Sequence, residues 1–313
     1  MKVIRIFFIT ISLIISTIYS LQAQTTEGTD FWLTFGQNGG YVQPDYVNLQ
    51  IRIVAKDHQT SVTIFFTNSG THIDTVIEAR QVFTHVLSNM EKTAVYNNAT
   101  GITNKSVHIT SAMPVTVYAL NQLSASADAT NILPVTALGT EYYQISYIGY
   151  SLYDAYAVIA TEDNTEVYPK NAPAISLNRG DVYYKVNSSD MTGDYISSNK
   201  PIAHFTLALY PGIFGGGDHF FQQMAPVHVW GKNFFVPVSH PVHDVVRIVI
   251  SQNNTKITQV GGIIRSVGGS QTNLENLQAG QFVELEVPFD SCGCTIQANK
   301  PVGACTFYGG GDA

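Results

Sequence analysis

The chain states one pattern three times. The openers GTDFWLTF from Gly28, GTEYYQIS from Gly139 and GKNFFVPV from Gly231 are each followed by an apolar run and a polar turn. Those runs read IRIVAKDHQTSVTI from Ile51, YAVIATEDNTEV from Tyr156 and VRIVISQNNTKI from Val246, with Thr60, Thr165 and Thr255 in matching places. Next, LNRGDVYYKV from Leu177 matches LQAGQFVELEV from Leu277. The first unit has IEARQVFTHVL there, with Arg80 where the others carry Gly180 and Gly280, which leaves its turn type open. Each unit closes around a proline, Pro114, Pro201 or Pro301, in HITSAMPVTVYAL, YISSNKPIAHFTL and TIQANKPVGACTF. A fixed internal repeat means that one supersecondary unit is stacked, and it limits the fold before any single motif is weighed.

The repeated segments are short, rich in Val, Ile, Thr, Tyr and Phe, alternating in polarity and separated by Asp, Asn, Gly and Pro, which predicts antiparallel strands. No window sustains a helical period with caps. About six strands in roughly 75 to 110 residues per unit suit a small β-sandwich better than a propeller blade. The expected fold is all-β, with three tandem antiparallel sandwich-like repeats packed with pseudo-symmetry. In VYYKV, Val182, Tyr184 and Val186 share the expected core face. The closing segments are expected to be hairpins about their prolines.

Residues 1–24 read as a signal peptide: Lys2 and Arg5 precede an apolar run ending in small and polar residues. Residues 25–125 form the first repeat, 126–214 the second with its leading connection, and 215–313 the third with its own. TFYGGGDA is expected to begin a further connection at Asp312. Without Lys2 and Arg5, 14 basic residues face 23 acidic ones, which argues against nucleic acid or an anionic membrane surface as partner. Only 12% of residues are charged, in keeping with an exported β-protein. No later run is apolar and long enough to span a membrane, and no cofactor is expected. Of the three cysteines, Cys294 and Cys305 are expected to pair across the last hairpin, leaving Cys292 free or paired outside this chain.

The densest run of chemistry-bearing residues, GGGDHFFQQMAPVHVWGKNFF from Gly215, falls between the second and third units. SADATNILPVTALGTEYY from Ser126 is its counterpart, aligning Asp128 with Asp218, Pro134 with Pro226 and Gly139 with Gly231. Asp218 and His219 have the residue types of two triad members, but Asp128 lacks a following histidine and no G-x-S-x-G elbow supplies a serine. Turn chemistry, in which the aspartate accepts backbone N–H bonds, accounts better for an aspartate repeated at each seam. His240, His243 and Asp244 form the one cluster with metal-ligand chemistry, although residues three apart on a strand point to opposite faces. Glu284 and Glu286 alternate with apolar partners and are expected to face solvent. Tyr147, Tyr150 and Tyr153 are the tyrosines expected to be accessible for stacking on a sugar or protein ligand.

GTDFWLTF, TEDNTEV, SSNKPIAHF and the D-H-x(3)-Q-x(2)-P-V-x-x-W-G run formed by Asp218, His219, Gln223, Pro226, Trp230 and Gly231 resemble the IgG Fc-binding protein N-terminal domain family. That family comprises mucus-associated secreted proteins and bacterial relatives, and the leader ending LQAQ is of bacterial type. The first connection departs from the run, with Ala129 for His219 and Leu138 for Trp230. The resemblance implies a secreted or cell-surface, non-enzymatic adhesion or binding module for an extracellular protein or glycoprotein. It transfers no catalytic residue and does not imply binding of antibody Fc. With the residues above, the expected ligand-binding set is Tyr147, Tyr150, Tyr153, Asp218, His219 and Trp230. The competing readings are a metal-dependent or His/Asp hydrolase centred on Asp218, His219, His240 and His243, and a purely structural envelope component.

Overall fold

Antiparallel pairing of short β-branched and aromatic segments dominates the chain. A computed structural model describes residues 25–148, 153–239 and 241–309. Its strands form sheets of seven, eight and six strands, with two two-stranded sheets beside them. The pairing is antiparallel apart from a two-residue parallel contact of Phe35–Gly36 with Tyr96–Asn97. The all-β antiparallel expectation holds. One short α-helix was not foreseen: Asn89–Val95, started by a capping box in which Ser88 and Glu91 bond each other's backbone N–H. Among the described residues no helix is long and apolar enough to cross a membrane. The proposed leader, residues 1–24, lies outside the described residues, as do Tyr150, His240 and Asp312.

The expected hairpins at the prolines are not hairpins. Each closing segment is one continuous strand, Val107–Gln122, Tyr195–Thr206 or Cys294–Phe307. The reason lies in the partners available to its two halves. In the last sheet, the first half of Cys294–Phe307 pairs with Gly231–Val236 and Ile257–Val260, while the second half pairs with Asp244–Ile250. A hairpin would have to pair its arms with each other and forfeit both. The proline sits where the ladder slips: Gly28 faces Val115 while Asp30 faces Thr110, Gly139 faces Ile202 while Glu141 faces Ser197, and Gly231 faces Val302 while Asn233 faces Gln297. A bulge is where a sheet tolerates proline and bends, so each long strand carries its sheet around a corner.

The same finding removes the expected disulfide. Cys294 and Cys305 lie on one strand, opposite Val236 and Arg247 respectively, and all three thiols are free. At about 3.3 Å per residue along a strand they are separated far beyond the roughly 7 Å between Cα atoms that a disulfide spans.

The apolar cores do not coincide with the units. Along Asp154–Ala160 every residue is buried. Ala155, Ala157 and Ile159 face the first sheet, joined by Val182, Tyr184 and Phe205, while Tyr156, Val158 and Ala160 face the third sheet's Val245, Val249 and Phe282. Asp244–Ile250 is likewise buried throughout, with Val246, Ile248 and Ile250 in a third core. Strand alternation thus places one strand's side chains in two cores at once.

Turn geometry is repeated even where the sequence is not. Arg80 adopts a φ of 63°, beside 87° for Gly180 and 81° for Gly280. The following residue accepts at the same place in each: Ala55, Ala160 and Ile250 donate their N–H to Gln81, Asp181 and Gln281.

The openers differ in what covers them. A Cβ on Gly28 would lie 2.3 Å from Pro134 Cβ, and one on Gly139 would lie 2.6 Å from Pro226 Cβ. At Gly231 the nearest atom is Phe234 Cζ, at 3.5 Å. Gly139→Ala is therefore expected to destabilise the fold by about 1–3 kcal/mol through overpacking. Gly231→Ala is expected to stay within about 0.5 kcal/mol of the parent. Urea unfolding midpoints of the two variants check this contrast.

Candidate functional site

The two connections, apart in sequence by about ninety residues, run side by side. Side chains stand in for the ladder bonds between them. Asp218 Oδ1 accepts from the N–H of Ala127 at 2.7 Å and of His219 at 2.7 Å. Asp128 Oδ2 accepts from the N–H of Phe221 at 2.8 Å, and its Oδ1 from Ala129 at 2.7 Å. The two aspartates that align in sequence therefore each satisfy the other connection's backbone. Further along, Gln223 donates its N–H to Thr130 Oγ1 at 2.9 Å and its Oε1 accepts from Leu133 at 2.7 Å. Burial pushes the Asp128 carboxyl up to about 6, against the pull of its two N–H donors, with the neighbouring Asp218 adding to the rise.

His219 is buried and fully used. Its Nδ1 lies 2.9 Å from the Ala208 carbonyl, which can only accept, so Nδ1 carries the proton. Its Nε2 then accepts from Asn121 Nδ2 at 3.1 Å. Asp218 contacts the His219 backbone, not its ring. Burial pushes the imidazole down to about 4, with the bond to the Ala208 carbonyl opposing. A neutral, enclosed ring with both nitrogens engaged has no free nitrogen with which to abstract a proton, which removes the triad arrangement from this pair; His219 itself contributes to the wall of a cavity beside the seam.

Trp230 is half-buried: its Nε1 donates to the Ala225 carbonyl at 3.1 Å, and its ring covers Gly303, where a Cβ would come within 2.6 Å of it. Tyr143 tilts against the same ring at 5.7 Å.

Tyr147 is not accessible, contrary to expectation. It is 9% exposed because it covers Arg247, whose Cζ lies 4.2 Å from its ring centroid and 4.8 Å from that of Phe282. The Arg247 guanidinium donates to the Ser146 carbonyl at 2.7 Å, Asp190 at 2.6 Å, Thr192 at 2.8 Å and Glu284 at 2.9 Å. Glu284, expected in solvent, is instead fully buried as the partner of this arginine. Tyr153 is exposed, as expected, at 48%.

His243 and Asp244 turn to different neighbours. His243 Nδ1 lies 3.0 Å from Glu286, with Phe214 and Phe289 against its ring. Asp244 is buried and accepts from the Ser239 N–H at 3.2 Å. Among the described residues no group of three or more His, Cys, Asp and Glu is arranged to hold a metal ion.

Two adjoining cavities open beside the seam. One, of about 440 Å³, lies between Asp128, Asp218 and the end of strand Cys294–Phe307. The other, of about 400 Å³, continues along that strand past Met224 to Trp230 and Gly231. Gln222, Cys305 and Thr306 line both. Sequence reasoning did not single out this strand edge, although the alignment of the two connections was the signal that leads to it.

His219 yields a pH test. Its folded pKa lies below the ordinary 6.5, so it contributes stability that is fully present above pH 6.5 and lost as pH falls towards 4. The stability advantage of the parent over His219→Gln is expected to shrink across that window by on the order of 3 kcal/mol. Chemical denaturation of both proteins at pH 7.5, 5.5 and 4.5 checks it.

The model of the IgGFc binding protein family matches residues 128–313, which include most of the residues of the seam and of both cavities' walls. The IgGFc-binding protein of Homo sapiens is 29% identical over 192 residues, which is 55% of this chain. The matched part spans 3% of the human protein's length. No solved structure matches the chain. The family match extends over more than half the chain, and the chain belongs to the IgGFc binding protein family.

Proposed function

We propose that this protein is a secreted or cell-surface binding module without enzymatic activity, which attaches to an extracellular protein or glycoprotein and serves adhesion to mucus or host surfaces. The observation that carries this reading is the division of labour at the seam. The groups with catalytic chemistry, Asp218 and His219, are spent on backbone and on Asn121, while the cavities beside them are left open along a strand edge. A surface that offers backbone groups, two backbone-bonded aspartates and apolar walls suits recognition of a polypeptide. The mature chain's excess of acidic residues favours a ligand of neutral or basic character.

The test is direct binding. Residues 25–313 are passed over immobilised mucins, the same mucins after enzymatic deglycosylation, and immunoglobulin Fc, with an unrelated acidic β-protein as control. Saturable binding to at least one of these that survives His219→Gln is expected. No saturable binding to any, or hydrolysis of a bound protein that His219→Gln abolishes, would overturn the proposal.

A further inference from the structure

The first unit carries a segment that the other two lack. Ile51, Tyr156 and Val246 are equivalent, since each faces the residue five past its bulge proline, Ala119, Thr206 or Thr306. From Gly28 to Ile51 the chain advances 23 positions, against 17 from Gly139 to Tyr156 and 15 from Gly231 to Val246. The surplus lies between Phe35–Gly36 and Asn48–Ala55, in the run QNGGYVQPDY from Gln37. The other units reach the same inner strand without it.

The backbone of this segment is held from below. The Gly39 N–H donates to the Leu209 carbonyl at 2.8 Å, and Gln37 Nε2 donates to the Gly39 carbonyl at 3.1 Å. Tyr96 Oη accepts from the Asn38 N–H at 3.0 Å and donates to the Tyr41 carbonyl at 2.8 Å. The Asn38 side chain bonds Asn121 and Ser126, and Asn98 Nδ2 donates to the Val42 carbonyl at 2.9 Å. The side chains are nevertheless left in water: Tyr41, Val42 and Tyr46 are 49, 52 and 69% exposed. Rings on a backbone fixed in this way have little freedom left to lose on meeting a ligand.

Beside them lies a cavity of about 340 Å³, lined by Tyr41, Tyr210, Gly39, Gly40 and residues 123–126. That volume suits a small ligand, for which pockets run from about 300 to 1,000 Å³. Tyr46 tilts against Tyr41 with ring centroids 5.5 Å apart, which continues the aromatic surface past the cavity. Among the described residues no charged side chain lines it. The two glycines leave main-chain groups uncovered there, and Ser124 is exposed.

We infer that this cavity binds a neutral pyranose unit of a glycan, stacked on Tyr41, with the next unit of the chain over Tyr46. A pyranose presents a face of C–H bonds to an aromatic ring and a rim of hydroxyls to hydrogen-bonding groups. The tyrosines meet the first demand, and Ser124 with the glycine backbone meets the second. An anionic sugar would find no cation in the lining. An extended peptide would need an open ladder, whereas this tip closes on itself through the bridge between Asn38 and Tyr41.

This inference rests on the binding reading and names its surface and ligand class. Residues 25–313 are applied to an array of neutral and sialylated oligosaccharides of galactose, N-acetylglucosamine, N-acetylgalactosamine, mannose and fucose. The strongest neutral binder and its terminal monosaccharide are then titrated by saturation-transfer NMR. Saturable binding is expected, weakened at least about tenfold by Tyr41→Ala and by Gly40→Leu. Gly40 lies outside the left-handed region and a Cβ there would meet no atom within 4 Å, so leucine fills the cavity without straining the fold. Tyr46→Ala is expected to weaken the oligosaccharide and not the monosaccharide. Tyr168→Ala, at a tyrosine 47% exposed on the second sheet, is expected to change neither. Unchanged urea midpoints establish that each variant folds.

Absence of saturable binding across the array, preference for the sialylated forms, or indifference to Tyr41→Ala and Gly40→Leu overturns the inference. So does an equal loss in Tyr168→Ala, since the stacking would then be non-specific. Mucin binding that survives both deglycosylation and Tyr41→Ala refutes this site but leaves the binding reading standing. Oligosaccharide binding that Tyr41→Ala abolishes, in a protein that retains neither mucin nor Fc, does the reverse.

Discussion

The need to pair both edges of a long, bent strand organises this molecule. A backbone group buried without a partner costs as much as a lost hydrogen bond, so a strand at the middle of a layered structure must be flanked on both sides. The first two long strands meet one half of that demand with the apolar inner strand, and the connection that follows meets the other. This explains why the connections are extended rather than looped, and why their polar side chains are directed at backbone. Asp128, Asp218, Thr130 and Gln223 bond main-chain groups in places where two short connecting strands are too irregular to form a ladder.

The same logic accounts for the ionic cluster between the second and third sheets. Arg247 lies on a strand buried on both faces, so its charge has no route to water. It is held by two carboxylates, a carbonyl and a hydroxyl, with aromatic rings above and below. A buried charge with this complement of donors' partners adds little net stability over an apolar replacement, whereas removing one member leaves the rest uncompensated, at about 3–5 kcal/mol. Such a cluster fixes how the sheets register against each other. Tyr147 and Glu284 are drawn inward as its components, which is why neither is available to a ligand.

Fold class was legible because it depends on local pattern: short runs of alternating apolar residues separated by glycine or asparagine turns. Arg80 shows the limit of reading a turn from composition, since it takes the left-handed conformation that glycine supplies in the other two units. The prolines misled for a related reason. Proline between apolar runs resembles a hairpin tip, and only long-range pairing of the two halves distinguishes a tip from a bulge. The disulfide reading fell with the hairpin. Tyr147 and Glu284 were misplaced because alternation predicts which face a side chain takes but not what lies over that face. The helix at Asn89–Val95 was legible in its Ser88 and Glu91 capping pair but is too short for a period to register.

The tryptophan of the second connection ties these points together. Trp230 immediately precedes an opener and lies against Gly303, two residues past the bulge proline. The first connection has Leu138 before its opener and Ala203 two residues past the corresponding proline, so a smaller side chain meets a larger one and the summed volume is roughly kept. Ala129, which stands where the second connection has His219, is exposed whereas His219 is buried, so the two positions have different surroundings. The run that resembles the family most closely is therefore a packing and pairing signature. Sharing it commits a relative to this seam's packing and pairing.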